Sequence, residues 1–116
     1  MTYEMNLHPD PFELIKNGLK DVEMRLCDDR RKPINIGDHI EFTNNQTGEK
    51  LSCEVVNLLT FATFVELYKH YPKERLGYKP DQIADPSDME IYYSKDKIKQ
   101  FGVLAIEIKL IDVSAR

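Results

Sequence analysis

The sequence predicts an α+β domain in which short, mainly antiparallel strands are flanked by short helices. Two observations carry this. Apolar and polar residues alternate along Lys20–Cys27 and His39–Thr43, the period of half-buried strands, and a turn-rich stretch of hairpin length follows the second run. Helix-start chemistry recurs at Asp10-Pro11-Phe12-Glu13, at Thr63 with Glu66, and at Asp85-Pro86-Ser87-Asp88. At 116 residues, 41% hydrophobic and 31% charged, the chain suits one domain over 1–116 with an ordinary core beneath a solvated surface.

Asp10 as N-cap, Pro11 at the first helical position and Glu13 at the third predict a helix from Pro11 to Asn17, stopped by a left-handed Gly18. The strand that follows sets Val22, Met24 and Leu26 against Asp21, Glu23 and Arg25. After the charged stretch Asp28–Asn35 and Gly37-Asp38 comes a strand at His39–Thr43. The turn Asn44–Gly48 then leads to a return strand, Leu51–Leu59. Thr63 starts a helix that runs to His70 and ends at Tyr71-Pro72. Residues Pro72–Pro86, with Leu76-Gly77-Tyr78-Lys79-Pro80, form a long surface excursion of the kind that often binds. Ser94 caps a turn over Lys95–Gln100 that stops at Gly102. The run Val103–Ile111, apolar almost without break until Glu107, is a strand inside the sheet.

The first residues have no basic stretch followed by an apolar run, and no segment approaches bilayer length, so secretion and membrane insertion are disfavoured and a cytoplasmic protein is expected. Cys27 and Cys53, both assigned to strands, fit reduced thiols acting as small hydrophobes. His8, His39 and His70 have no partner at ligand spacing and the cysteines form no CxxC, so no metal site is expected, and no cofactor motif is present. The net charge is −4. Between Leu14 and Asn35, six basic residues outnumber four acidic ones, leaving a net of −6 on the rest. A local basic patch on an acidic chain favours a small anionic or nucleotide-like ligand over sequence-independent binding to duplex.

Glu23 and Arg25 leave one strand face about 6 to 7 Å apart. They fit either a surface ion pair, worth roughly 0–1 kcal/mol, or a carboxylate accepting from a base's amino group beside a guanidinium that stacks or grips phosphate. Lys20 follows the helix-ending glycine, so alternation does not fix its direction. It is either a solvating lysine or, turned toward Arg25, a candidate nucleophile or general base. Arg30-Arg31-Lys32 is either a solvated loop or a phosphate contact.

The string Leu7–Leu26, with Gly18-x-Lys20-x-x-Glu23-x-Arg25, followed by Ile36-Gly37-Asp38-His39-Ile40-Glu41-Phe42, resembles the ASCH domain signature. The resemblance extends through Tyr92-Tyr93-Ser94 and Phe101-Gly102-Val103. It implies a PUA-like fold, a mixed and mainly antiparallel β-barrel flanked by short helices, and a partner that is RNA or a modified nucleoside or nucleotide. It further implies a cleft bound by Gly18, Lys20, Glu23 and Arg25, with Tyr92, Tyr93 and Ser94 on its far side, where tyrosines could stack on bases.

One branch of the family resembles an amidohydrolase of N4-acylated cytidine that uses a lysine, a threonine three residues later and a downstream glutamate. Lys20 matches that lysine, Glu23 stands in place of the threonine, and Glu66 and Glu74 are candidates for the carboxylate. If catalytic, Lys20 and Glu23 would be the reacting pair of a metal-independent hydrolase. A nucleolytic branch would draw on Lys20 and Ser94. A protein-interaction domain is the third reading, tied to an exposed patch around Phe61 and Phe64.

Overall fold

The computed structural model describes residues 1–114. Five strands form one sheet: β1 (Thr2–Leu7), β2 (Val22–Leu26), β3 (His39–Asn44), β4 (Lys50–Phe61) and β5 (Val103–Ser114), in the order β1-β3-β4-β5-β2. Three helices accompany it: α1 (Pro9–Lys16), α2 (Phe64–His70) and α3 (Lys95–Phe101), with 3₁₀ turns at Lys73–Leu76 and Pro86–Ile91. β1 runs parallel to β3 and every other pairing is antiparallel. The sheet is mixed, as expected, and curls into a half-barrel.

β5 explains its own unbroken apolar run. It pairs with β4 on one side and β2 on the other. Leu104, Ile106 and Ile108 join one core cluster, and Val103 and Ala105 join a second. A strand buried on both faces has no place for alternation. The first cluster gathers Phe12 and Ile15 of α1 with Ile40, Phe42, Leu51 and Val55. The second gathers Phe64 and Leu67 of α2 with Val22, Met24, Leu76 and Met89. Register shifts in β4 at Ser52/Cys53 and Val55/Asn57 bend that long strand, as bulges do, and Val56 is left exposed.

The structure departs from expectation in several places. The alternating segment Thr2–Leu7 is an edge strand, with Met5 and Leu7 buried. Because β1 ends at Leu7, the chain turns at once into α1, which starts at Pro9 rather than Pro11. His8 stands at the N-cap with no side-chain cap, and Asp10 lies within the first turn. The excursion after Pro72 contains a 3₁₀ turn ended by Gly77. Cys27 lies one residue beyond β2 and is half-buried, whereas Cys53 is buried within β4; both are free thiols. Thr63, Asp85 and Ser94 cap their helices as the sequence indicated, accepting from Glu66, Ser87 and Lys97 backbone N–H groups.

Among the described residues, no helix is long and apolar enough to cross a membrane. No group of three or more His, Cys, Asp and Glu is arranged to hold a metal ion among them.

Candidate functional site

The unpaired edges of β1 and β2 face each other across the open side of the half-barrel, and Arg25 bridges them. Its Nη2 donates to the Asn6 carbonyl of β1 at 3.0 Å, and its Nε donates to Glu23 Oε2 at 2.7 Å. A cleft of about 470 Å³ opens at this seam, within the range of small-molecule sites.

Lys20, Glu23 and Arg25 form its polar floor. The chain reaches them through the end of α1. Gly18 has φ 75° and its N–H bonds the Ile15 carbonyl, while the N–H groups of Leu19 and Lys20 both reach the Leu14 carbonyl. The backbone enters β2 only at Val22, so Lys20 escapes the pleat and turns inward. Its ammonium lies 3.3 Å from Glu23 Oε1 and donates to the Leu76 carbonyl at 3.2 Å. Lys20 and Glu23 are 7% and 4% exposed, which decides against a solvating lysine and a surface ion pair.

Burial alone would push the Glu23 carboxyl up. The charges and hydrogen bonds of Lys20 and Arg25 overcome it and hold Glu23 below the usual carboxylate range. Burial likewise works to lower Arg25, and Glu23, with Tyr93 beside it, pushes it up instead. Two cations therefore share one carboxylate, and the buried cluster carries a net positive charge.

A second network holds the turn that grips Lys20. Arg75 Nε donates to Asp21 at 2.8 Å, its Nη2 reaches Glu107 at 3.4 Å, and its guanidinium lies over the Tyr71 ring. Tyr71 and Asn57 donate to the other Glu107 oxygen. Gly77 follows at φ 108°, and a Cβ there would stand 3.1 Å from Lys20 Cδ. Only glycine admits both that backbone conformation and the close passage of the lysine stem.

The walls are aromatic. Tyr68 and Tyr78 join hydroxyls at 2.8 Å, and Tyr78 also donates to Asp88 at 2.8 Å, tying the excursion to α2. Tyr93 stacks on buried Phe64 and is half-buried, while Tyr92 is 49% exposed with its ring 5.8 Å from His8. Tyr92 keeps a free face and Tyr93 is partly core.

Of the residues singled out from sequence, Lys20, Glu23, Arg25, Tyr92 and Tyr93 meet at this cleft. Gly18 and Ser94 do not line it. Gly18 ends α1, and Ser94 caps α3 and borders a neighbouring cleft. Neither Glu66 nor Glu74 lines it: Glu66 accepts from the Ala62 N–H at the start of α2, and Glu74 is exposed on its 3₁₀ turn. Phe64 is buried and Phe61 packs against the second core, so they form no exposed apolar patch. Tyr68, Tyr78 and His8 also line the cleft, beyond the residues the sequence indicates; the aromatic within Leu76-Gly77-Tyr78 is the sequence signal for one of them.

The five-stranded half-barrel with its short helices matches the PUA-like fold. Residues 5–112 match the ASCH domain family, and the chain belongs to it. Among solved structures it is similar to the hypothetical protein PH0355, at 30% identity and TM-score 0.81 over 96% of this chain and 100% of that one. It is also similar to protein PF0455 from Pyrococcus furiosus, at 29% identity and TM-score 0.73 over 97% and 99%. A mutant ASCH protein from Zymomonas mobilis shares the fold at 13% identity and TM-score 0.68, over 97% of this chain and 72% of that one. Comparison with curated proteins gave no match.

Proposed function

We propose that the cleft binds a nucleobase, presented by RNA or by a modified nucleoside. The observation that carries this reading is the buried Lys20–Glu23–Arg25 cluster on the floor of a tyrosine-walled cleft. The cluster offers donors to a ring carbonyl or ring nitrogen and an acceptor to an exocyclic amine, while Tyr92 offers a stacking face. Its excess positive charge also favours an electron-rich ligand edge. Calorimetric titration with ribonucleosides, N4-acetylcytidine and short single-stranded RNAs tests it. Binding that Arg25→Ala weakens at least tenfold, or roughly 1.4 kcal/mol, supports the reading; no binding across that panel at low salt rejects it.

A second reading, hydrolysis of an acylated nucleobase, draws on Lys20. In amide hydrolysis, negative charge develops on the carbonyl oxygen as water attacks, and the Lys20 ammonium and Arg25 guanidinium stand together where such an oxyanion could be met. Glu23 would take the water's proton and pass it to the departing amine as the C–N bond breaks. A carboxylate held below its usual range is a firm anchor and a weak base, which favours binding over this chemistry. Chromatography of N4-acetylcytidine incubated with protein decides: turnover abolished by Lys20→Ala supports hydrolysis, and turnover that persists, or none at all, removes it.

A further inference from the structure

A second cleft, of about 410 Å³, opens on the other side of Tyr92 and Tyr93, so these two residues are a shared wall. Arg30, Ser94 and Lys97 border it, together with Asp28 and Asp29. The acids and bases here are not equally engaged. Asp28 accepts from Arg31 at 2.7 Å through Oδ2, its buried Oδ1 having no hydrogen-bond partner among the described residues, and exposed Asp29 lies 3.8 Å from Lys32. Arg30 and Lys97 have no carboxylate partner among the described residues, and Lys97 rests over the Phe101 ring at 5.7 Å. Both cations are exposed.

The mouth of the first cleft has the opposite character. Its exposed charged residues, among those described, are Asp10 and Asp88. A ligand seated on the Lys20–Glu23–Arg25 floor and carrying an anionic tail meets like charge on those sides. Across Tyr92 it meets two exposed cations without a carboxylate partner and the Ser94 hydroxyl, with Asp28 and Asp29 at the same border. Like charge at one exit and unpaired charge at the other set a direction for the tail.

We propose that the second cleft is a phosphate subsite, taking the phosphate of a nucleotide whose base occupies the first cleft and whose sugar crosses Tyr92. The inference rests on the nucleobase reading and deepens it: the ligand is phosphorylated, as a free nucleotide or as a single-stranded RNA. Arg30 supplies a planar fork suited to two phosphate oxygens, and Lys97 a point charge.

The test is calorimetric titration of the four ribonucleosides, their 3′- and 5′-monophosphates and a single-stranded trinucleotide panel, at low and at physiological salt. The wild type is compared with the double variant Arg30→Gln, Lys97→Gln. Both positions are exposed, and unchanged far-UV circular dichroism and melting temperature confirm that the variant is folded.

Phosphorylation at one of the two positions, or incorporation into the trinucleotide, is expected to tighten binding roughly tenfold over the nucleoside. Salt reduces that gain. The double variant returns it to the nucleoside level and leaves nucleoside affinity unchanged. A gain already complete in the monophosphate identifies a free nucleotide, and a gain confined to the trinucleotide identifies RNA. Nucleosides that bind with no gain from phosphate, or a gain that survives the double variant, overturn the subsite and leave the nucleobase reading standing. Absence of binding by every member of the panel overturns both.

Discussion

Replacing Glu23 with Gln tests the cluster at the cleft floor most sharply. Glu23 is 4% exposed and lies 3.3 Å from the Lys20 ammonium and 2.7 Å from Arg25 Nε. At an effective dielectric of about 20, each contact is worth roughly 5 to 6 kcal/mol before desolvation is counted. Most of that gross energy offsets the cost of burying three charges. The net effect of Glu23→Gln is set by what remains, two buried cations without a counter-charge, and is expected to be about 3 kcal/mol of lost stability. For a chain of this size that lowers the melting temperature by about 10 °C.

Urea unfolding at pH 7 measures the loss. Glu49→Gln, which removes the partner of surface Lys16, serves as a control with a much smaller effect. The pH dependence carries an independent sign. Because Glu23 is held below the usual carboxylate range in the folded chain, its contribution is fully present above the unfolded value of about 4.3. It is lost as pH falls through the folded value. The gap between wild type and Glu23→Gln therefore closes in acid. A variant within about 1 kcal/mol of wild type at pH 7, or a gap that persists undiminished in acid, refutes the reasoning.

Three further outcomes follow from the same geometry. Gly77→Ala forces a side chain into φ 108° and against Lys20, so it should cost about 1 to 3 kcal/mol and weaken nucleoside binding. Gly37→Ala, at φ 95° in open space, should carry the backbone penalty without the binding loss; equal binding by the two variants contradicts the cradle. Tyr78→Phe removes the hydroxyl linking Tyr68 and Asp88 and should cost about 1 kcal/mol, with faster amide exchange across 86–93; unchanged exchange there denies the tie. Burial pushes the Cys53 thiol up to about 12, so at pH 8 iodoacetamide should label Cys27 well before Cys53, and equal rates would contradict that burial.

The legible parts of the fold were those with local causes. Thr63, Asp85 and Ser94 cap helices through contacts two or three residues away, and Glu23 and Arg25 share a strand face by parity. β1 leaves only the faint alternation of Tyr3, Met5 and Leu7, because a six-residue edge strand is a weak pattern and its parallel partner β3 lies beyond α1 and β2. Lys20 could not be placed from its neighbours. What turns it inward is the Leu76 carbonyl, 56 residues along the chain, delivered by a turn that Asp21 and Glu107 hold through Arg75. The same holds for Tyr68 and Tyr78, because a hydroxyl pair ten residues apart depends on how the excursion folds back.

The most direct measurement of the central claim is a ¹⁵N-resolved NMR titration of the folded chain with ribonucleosides and N4-acetylcytidine. Saturable shifts gathered in Lys20–Arg25, Leu76–Tyr78 and Met89–Tyr93, and lost in Arg25→Ala, are the predicted result. Shifts confined to surfaces away from those segments, or none with any of these ligands, would contradict it.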